Sequence, residues 1–159
     1  MIVVCDTSPV TNLTQIGYLY LLNKLYGEVL IPEEVYCELR EYENHGQLLE
    51  ENEWIVVRKA VNRQEIETLL DDLDLGECEA IVLAKESNAD LLVIDEHRGK
   101  SIAKEQGLEI IGLLGVLVKS REEGYIEMLR PILDKLIDEV GFRVSKILYE
   151  RILKEVDEK

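Results

Sequence analysis

Acidic residues recur in this chain where a strand or a helix would present them to one shared site. Asp6 closes the run Ile-Val-Val-Cys, and Glu38 sits in Val-Tyr-Cys-Glu-Leu. Glu77 and Glu79 lie in Gly-Glu-Cys-Glu-Ala-Ile, and Asp95-Glu96 follows Leu-Leu-Val-Ile. Acids that end buried strands or open helices in an alternating β/α chain converge at the carboxyl edge of a parallel sheet, where ligands bind. Three or four carboxylates gathered there do not stay ionised without a cation, so the pattern predicts Mg²⁺ or Mn²⁺. The chemistry that follows is metal-assisted hydrolysis of a phosphodiester, the work of a nuclease. It needs no histidine, and the chain has only His45 and His97.

Each acid also has a plainer role. Asp6 can cap the helix that follows it; Thr7 and Ser8 can do the same, and Ser8 can also hydrogen-bond the acid. Glu38 shares an acidic helix with Glu33, Glu34 and Glu41, where a solvated face would look alike. Glu77 and Glu79 stand at a helix start, which the dipole favours on its own. Asp95 leaves a buried strand at its carboxyl end, and there a purely structural role explains least. Glu96 and His97 read as outer groups or loop residues. Arg98, Lys100 and Lys104 follow at once and form the best local basic patch for a phosphodiester backbone.

The elements that must position these acids alternate. Met1 to Cys5 reads as a buried strand, followed by a helix through Leu13, Ile16, Leu19 and Leu22 that Gly27 closes. A strand at 28–31 precedes a helix opened by Pro32. A polar, loosely helical stretch from Asn44 to Asn52 leads to a strand at 54–57. Helices are expected at 62–73 and 76–87, a strand at 91–94, a helix at 99–106, a strand at 109–111 and an apolar helix at 113–123. Two further helices, broken near Gly141-Phe142, fill a C-terminal helical extension over 125–159. The class is α/β with a parallel sheet.

The 159 residues suit one domain, and 47% hydrophobic with 32% charged residues suits a soluble fold. A net charge of −15 runs against a polyanionic partner unless basic residues are grouped locally and metals neutralise the acids. Cys5, Cys37 and Cys78 show no C-x-x-C pairing and read as small core residues of a reducing compartment. The apolar start is too short for a signal peptide, and no run reaches the roughly 20 residues that span a bilayer. The expected location is cytoplasmic, with no membrane association.

Four segments together resemble the PIN-domain family. They are Asp-Thr-Ser-Pro-Val at 6–10, Pro-x-x-Val-x-x-Glu-Leu at 32–39, Gly-Glu-x-Glu-Ala-Ile-x-Leu-Ala at 76–84 and Ala-Asp-Leu-Leu-Val-Ile-Asp-Glu at 89–96. The likeness continues through Ile-Gly-Leu-Leu-Gly-Val-Leu at 111–117, and Gly-Phe-Arg-Val-Ser at 141–145 looks like a prokaryotic branch similar to VapC-type toxin ribonucleases. The resemblance implies a three-layer α/β/α sandwich and a Mg²⁺- or Mn²⁺-dependent endoribonuclease acting on RNA, often the toxin of a toxin–antitoxin pair. It puts the family's acids on Asp6, Glu38, Glu77 (or Glu79) and Asp95 (with Glu96 beside it). The third acid is more often Asp in the family. An antitoxin protein is the implied partner; the apolar helix at 113–118 and the amphipathic tail at 125–156 offer a surface for a homodimer. A non-catalytic PIN-like interaction protein is the rival reading. A phosphatase of the haloacid dehalogenase type is disfavoured because Ser8 stands where its second Asp belongs.

Overall fold

The computed structural model describes residues 1–42 and 45–158. Among these, five short strands form one parallel sheet: β1 (Val3–Cys5), β2 (Val29–Ile31), β3 (Ile55–Val57), β4 (Leu91–Val93) and β5 (Ile110–Ile111). Their order across the sheet is β3-β2-β1-β4-β5. The chain winds outward from β1 to β3, then crosses back to place β4 on the other side of β1. The switch point therefore falls between β1 and β4, the position at which open α/β sheets bind ligands at their carboxyl ends.

Alternation along each strand builds two cores. Val3, Cys5, Val29, Ile31 and Val93 face one layer, and Val4, Leu30, Leu92 and Ile94 face the other. The first layer holds α1 (Thr7–Ile16), α2 (Tyr20–Tyr26), α3 (Glu33–Glu41) and α8 (Leu113–Glu122), with the C-terminal helices α9 (Arg130–Lys135) and α10 (Lys146–Glu155). The second holds α5 (Arg63–Leu69), α6 (Leu75–Glu86) and α7 (His97–Glu105). The result is the expected three-layer α/β/α sandwich. Strands buried on both faces account for the uninterrupted apolar runs of the sequence.

Local departures have local causes. The first helix does not run on to Gly27, because Gly17 takes φ +81 and ends α1 after Ile16. Apolar spacing through Leu19 and Leu22 belongs to α2 instead. The stretch expected from Asn44 forms α4 (His45–Glu51), Asn44 itself lying outside the described residues. Leu136–Val140 widens the end of α9 into a π turn that stops at Gly141, φ +77. The tail contributes Leu129, Ile132, Leu133, Leu136, Ile152, Leu153 and Val156 to the first core. Glu158 fastens it: its carboxylate accepts from the N–H groups of Leu129 (2.6 Å) and Arg130 (2.9 Å) and from Arg121 Nε (3.3 Å). Among the described residues, no helix is long and apolar enough to cross a membrane.

Of the three cysteines, Cys5 and Cys78 are buried, one in each core. Cys37 is exposed on α3, against the expectation of a core role, because its position on the helix faces away from Val35 and Leu39.

Candidate active site

Asp6 is the first residue after β1, and its N–H extends the ladder by donating to Val93 O at 2.9 Å. That bond fixes the residue at the switch point. The carboxyl is only 5% exposed. Burial raises its pKa to about 7, with Asp74, Glu38 and Asp95 adding to the rise and the Thr7 N–H opposing it. Asp6 stands in the N-cap position of α1 but makes no side-chain capping bond.

Glu38 projects from the middle of α3 and is half-buried. The Thr7 hydroxyl donates to its Oε2 in a short hydrogen bond. Its carboxylate lies against the backbone of Gly76, where a Cβ would come within 2.7 Å of Oε1. Burial raises its pKa, and Asp74 adds to the effect.

Glu77 occupies the first turn of α6 and is 7% exposed. It belongs to a capping box: Asp74 Oδ1 accepts from Glu77 N at 2.8 Å, and Glu77 Oε1 accepts from Asp74 N at 3.4 Å. Its Oε2 is buried without a hydrogen-bond partner and touches the bare Cα side of Gly99, where a Cβ would approach to 2.8 Å. Burial first, then the neighbouring Asp74 carboxyl, pushes Glu77 up to about 8.

Asp95 follows β4 by two residues. Its Oδ1 accepts from Leu113 N, the first N–H of α8, at 2.8 Å. Its Oδ2 is buried and unpartnered. Burial raises this pKa too, opposed by the Leu113 N–H and the Lys100 ammonium. Lys100 and Asp95 share the space over Gly112, where a Cβ would meet Lys100 Nζ at 2.6 Å and Asp95 Oδ1 at 2.9 Å. Gly112 thus makes room for both.

The remaining expected residues fall elsewhere. Glu79 is 4% exposed but turned away, accepting from Glu34 N at 3.1 Å and from Arg63 at 3.3 Å. It satisfies an N–H in the first turn of α3. Residues two positions apart on a helix point about 200° apart, so Glu77 and Glu79 cannot share a site. Glu96 and Ser8 are exposed, and Glu96 makes no capping bond at the start of α7. Arg98 pairs with Asp72 at 3.0 Å, both exposed. Lys104 does not join the basic patch: it sits in the last turn of α7, and α7 runs from the carboxyl edge toward the amino edge, carrying it away from the acids. Burial pushes the Cys5 and Cys78 thiols up, which leaves both unreactive near neutral pH.

Two residues of the cluster were not singled out from sequence. Thr7 stood only among the candidate caps, yet its hydroxyl holds Glu38. Asp74 falls in the gap between the helices expected at 62–73 and 76–87. The Asp-x-x-Glu spacing of 74–77 is a capping-box signature and would have flagged it.

Among the described residues, no three carboxylates, thiols or imidazoles close on one common point. The acids ring the switch point without wrapping it. The fit to a divalent cation nonetheless holds on two grounds. The donors are carboxylate oxygens, which suit Mg²⁺ and Mn²⁺. Two of them, Glu77 Oε2 and Asp95 Oδ2, are buried with no protein group to satisfy them, a costly arrangement for a carboxylate unless a cation or a proton compensates.

No curated protein sequence matches the chain. A family profile does: DUF3368, described as a PIN domain, covers residues 2–158. The match spans nearly every residue of a parallel sheet ordered 3-2-1-4-5 with acids at its switch point, and on it the chain belongs to the PIN-domain family, a nuclease-type fold.

Proposed function

We propose that this chain is a Mg²⁺- or Mn²⁺-dependent endoribonuclease. The observation that carries the reading is the pair of buried, unpartnered carboxylate oxygens on Glu77 and Asp95, set with Asp6 at the sheet's switch point. PIN domains generally use divalent metals, and here Asp6, Glu77 and Asp95 would hold the ion, with Glu38 completing the acidic pocket. When bound, such a cation acidifies water and neutralises charge developing on the scissile phosphate.

The chain's own groups supply the positioning. The Leu113 N–H holds Asp95 from one side, where the Lys100 ammonium is near enough to favour its charged form, and Thr7 holds Glu38 from the other. Lys100 stands beside the acids and offers a donor to a backbone phosphate of the substrate. A role as the toxin of a toxin–antitoxin pair belongs to the same reading. An antitoxin or a second copy of the chain would find apolar surface around Tyr20, Tyr125 and Met128, all exposed, beside a depression of about 430 Å³.

The test is cleavage of end-labelled single-stranded RNA, with a DNA strand of the same sequence in parallel, in Mn²⁺ and in chelator. Internal cuts in RNA that need Mn²⁺ and vanish in Asp6→Asn are expected. Cleavage that survives chelation, or wild-type rates in Asp6→Asn, would sink the proposal.

A further inference from the structure

The start of α6 holds a device that ordinary helix capping does not require. In a capping box the N3 glutamate serves the N-cap N–H, and its second oxygen normally meets water. Here Glu77 Oε1 makes the box bond to Asp74 N, while Oε2 is driven inward, buried and unpartnered. Gly76, next to Glu77, has no side chain, and that bare Cα is where Glu38 rests: a Cβ on Gly76 would stand 2.7 Å from Glu38 Oε1. Asp74, Gly76 and Glu77 therefore set two acids from two different elements with a single helical turn.

We infer that Asp74 is a positioning residue of the acid site, its capping bond fixing Glu77 so that Oε2 faces the cation. The inference rests on the metal-site reading above and adds a residue to it. Asp74 is exposed and acts through its hydrogen bond to Glu77 N at 2.8 Å. What matters is then a short side-chain acceptor at position 74, not its charge. Without it the first turn of α6 frays and Glu77 loses its fixed rotamer. Partners that orient a ligand in this way typically change metal affinity by about 10- to 100-fold when removed.

The test is calorimetric titration of Mn²⁺ into the wild-type chain and Asp74→Ala, Asp74→Ser and Asp74→Asn, each first shown to be folded by circular dichroism at the titration temperature. Serine and asparagine keep the cap without the charge. The expected result is a dissociation constant at least about 10-fold weaker for Asp74→Ala, with Asp74→Ser and Asp74→Asn recovering to within about 3-fold of wild type. Should Asp74→Ala bind Mn²⁺ as the wild type does, Asp74 has no positioning role. Equal weakening in all three variants would assign the effect to charge and overturn the inference while leaving the metal site standing. Absence of binding in the wild type would remove the metal-site reading itself, and this inference with it.

Discussion

Neutralising Asp6 should stabilise the metal-free chain. Its carboxyl is 5% exposed, with a pKa moved by burial from an ordinary 3.8 to about 7. Between those values the folded chain holds a proton that the unfolded chain has released, so folding loses stability as pH rises from about 4 to 7. At about 1.4 kcal/mol per pH unit, the loss at pH 7 comes to roughly 3 to 4 kcal/mol. Asparagine keeps the shape and removes the charge. In chelator at pH 7.5, Asp6→Asn should therefore melt higher than wild type, by roughly 6 to 15 °C for a chain of this size. The two curves should converge near pH 4, where the wild-type carboxyl is protonated in the fold as well. Adding Mn²⁺ should raise the wild-type midpoint and leave that of the variant nearly unmoved, since only a bound ligand stabilises. Thermal melts monitored by circular dichroism across pH 4 to 8 measure all of this. A midpoint for Asp6→Asn below wild type at every pH would refute the claim that the charge of buried Asp6 costs stability.

Other perturbations separate neighbouring roles. Glu79→Gln should cost about 1 to 3 kcal/mol in denaturant melts, through the bonds of its buried carboxylate to Glu34 N and the half-exposed Arg63, and leave Mn²⁺ affinity unchanged; Glu77→Gln should abolish the affinity. Gly76→Ala should impair cleavage more than stability, because the added Cβ meets Glu38 Oε1 at 2.7 Å. Steady-state kinetics beside a melt of the same variant would show otherwise if both changed little. Lys100→Ala should raise KM for RNA several-fold, whereas Lys104→Ala, at the far end of α7, should leave both kcat and KM as they were.

Much of this architecture was legible because strands buried on both faces announce themselves as short β-branched runs, and their carboxyl ends then locate the acids. The strand ends place Asp6 and Asp95 without help from tertiary contacts. Helical acids are harder. Glu77 and Glu79 share a helix start in the sequence; the capping box with Asp74 fixes the first, and the approach of the first turn of α3 claims the second. Glu38 sits among other glutamates of α3, and nothing local distinguishes the one that meets Thr7 and Gly76. Lys104 looked close to Asp95 because it is near in sequence, but a helix antiparallel to the strands carries its last turn to the opposite edge of the sheet. The break at Gly17 was hidden because the apolar period of α1 continues in phase through α2. Asp74 was overlooked for a different reason: a residue that caps a helix and one that arranges a site look the same until the orphaned oxygen of its partner is seen.

The most direct test of a shared acid site is a calorimetric titration of Mn²⁺ into wild type and into Asp95→Asn at neutral pH. The proposed site predicts saturable binding to the wild type and loss of that binding in the variant, whose fold stays intact. Equal binding by both proteins, or none by the wild type, would contradict a cation site built on Asp6, Glu77 and Asp95.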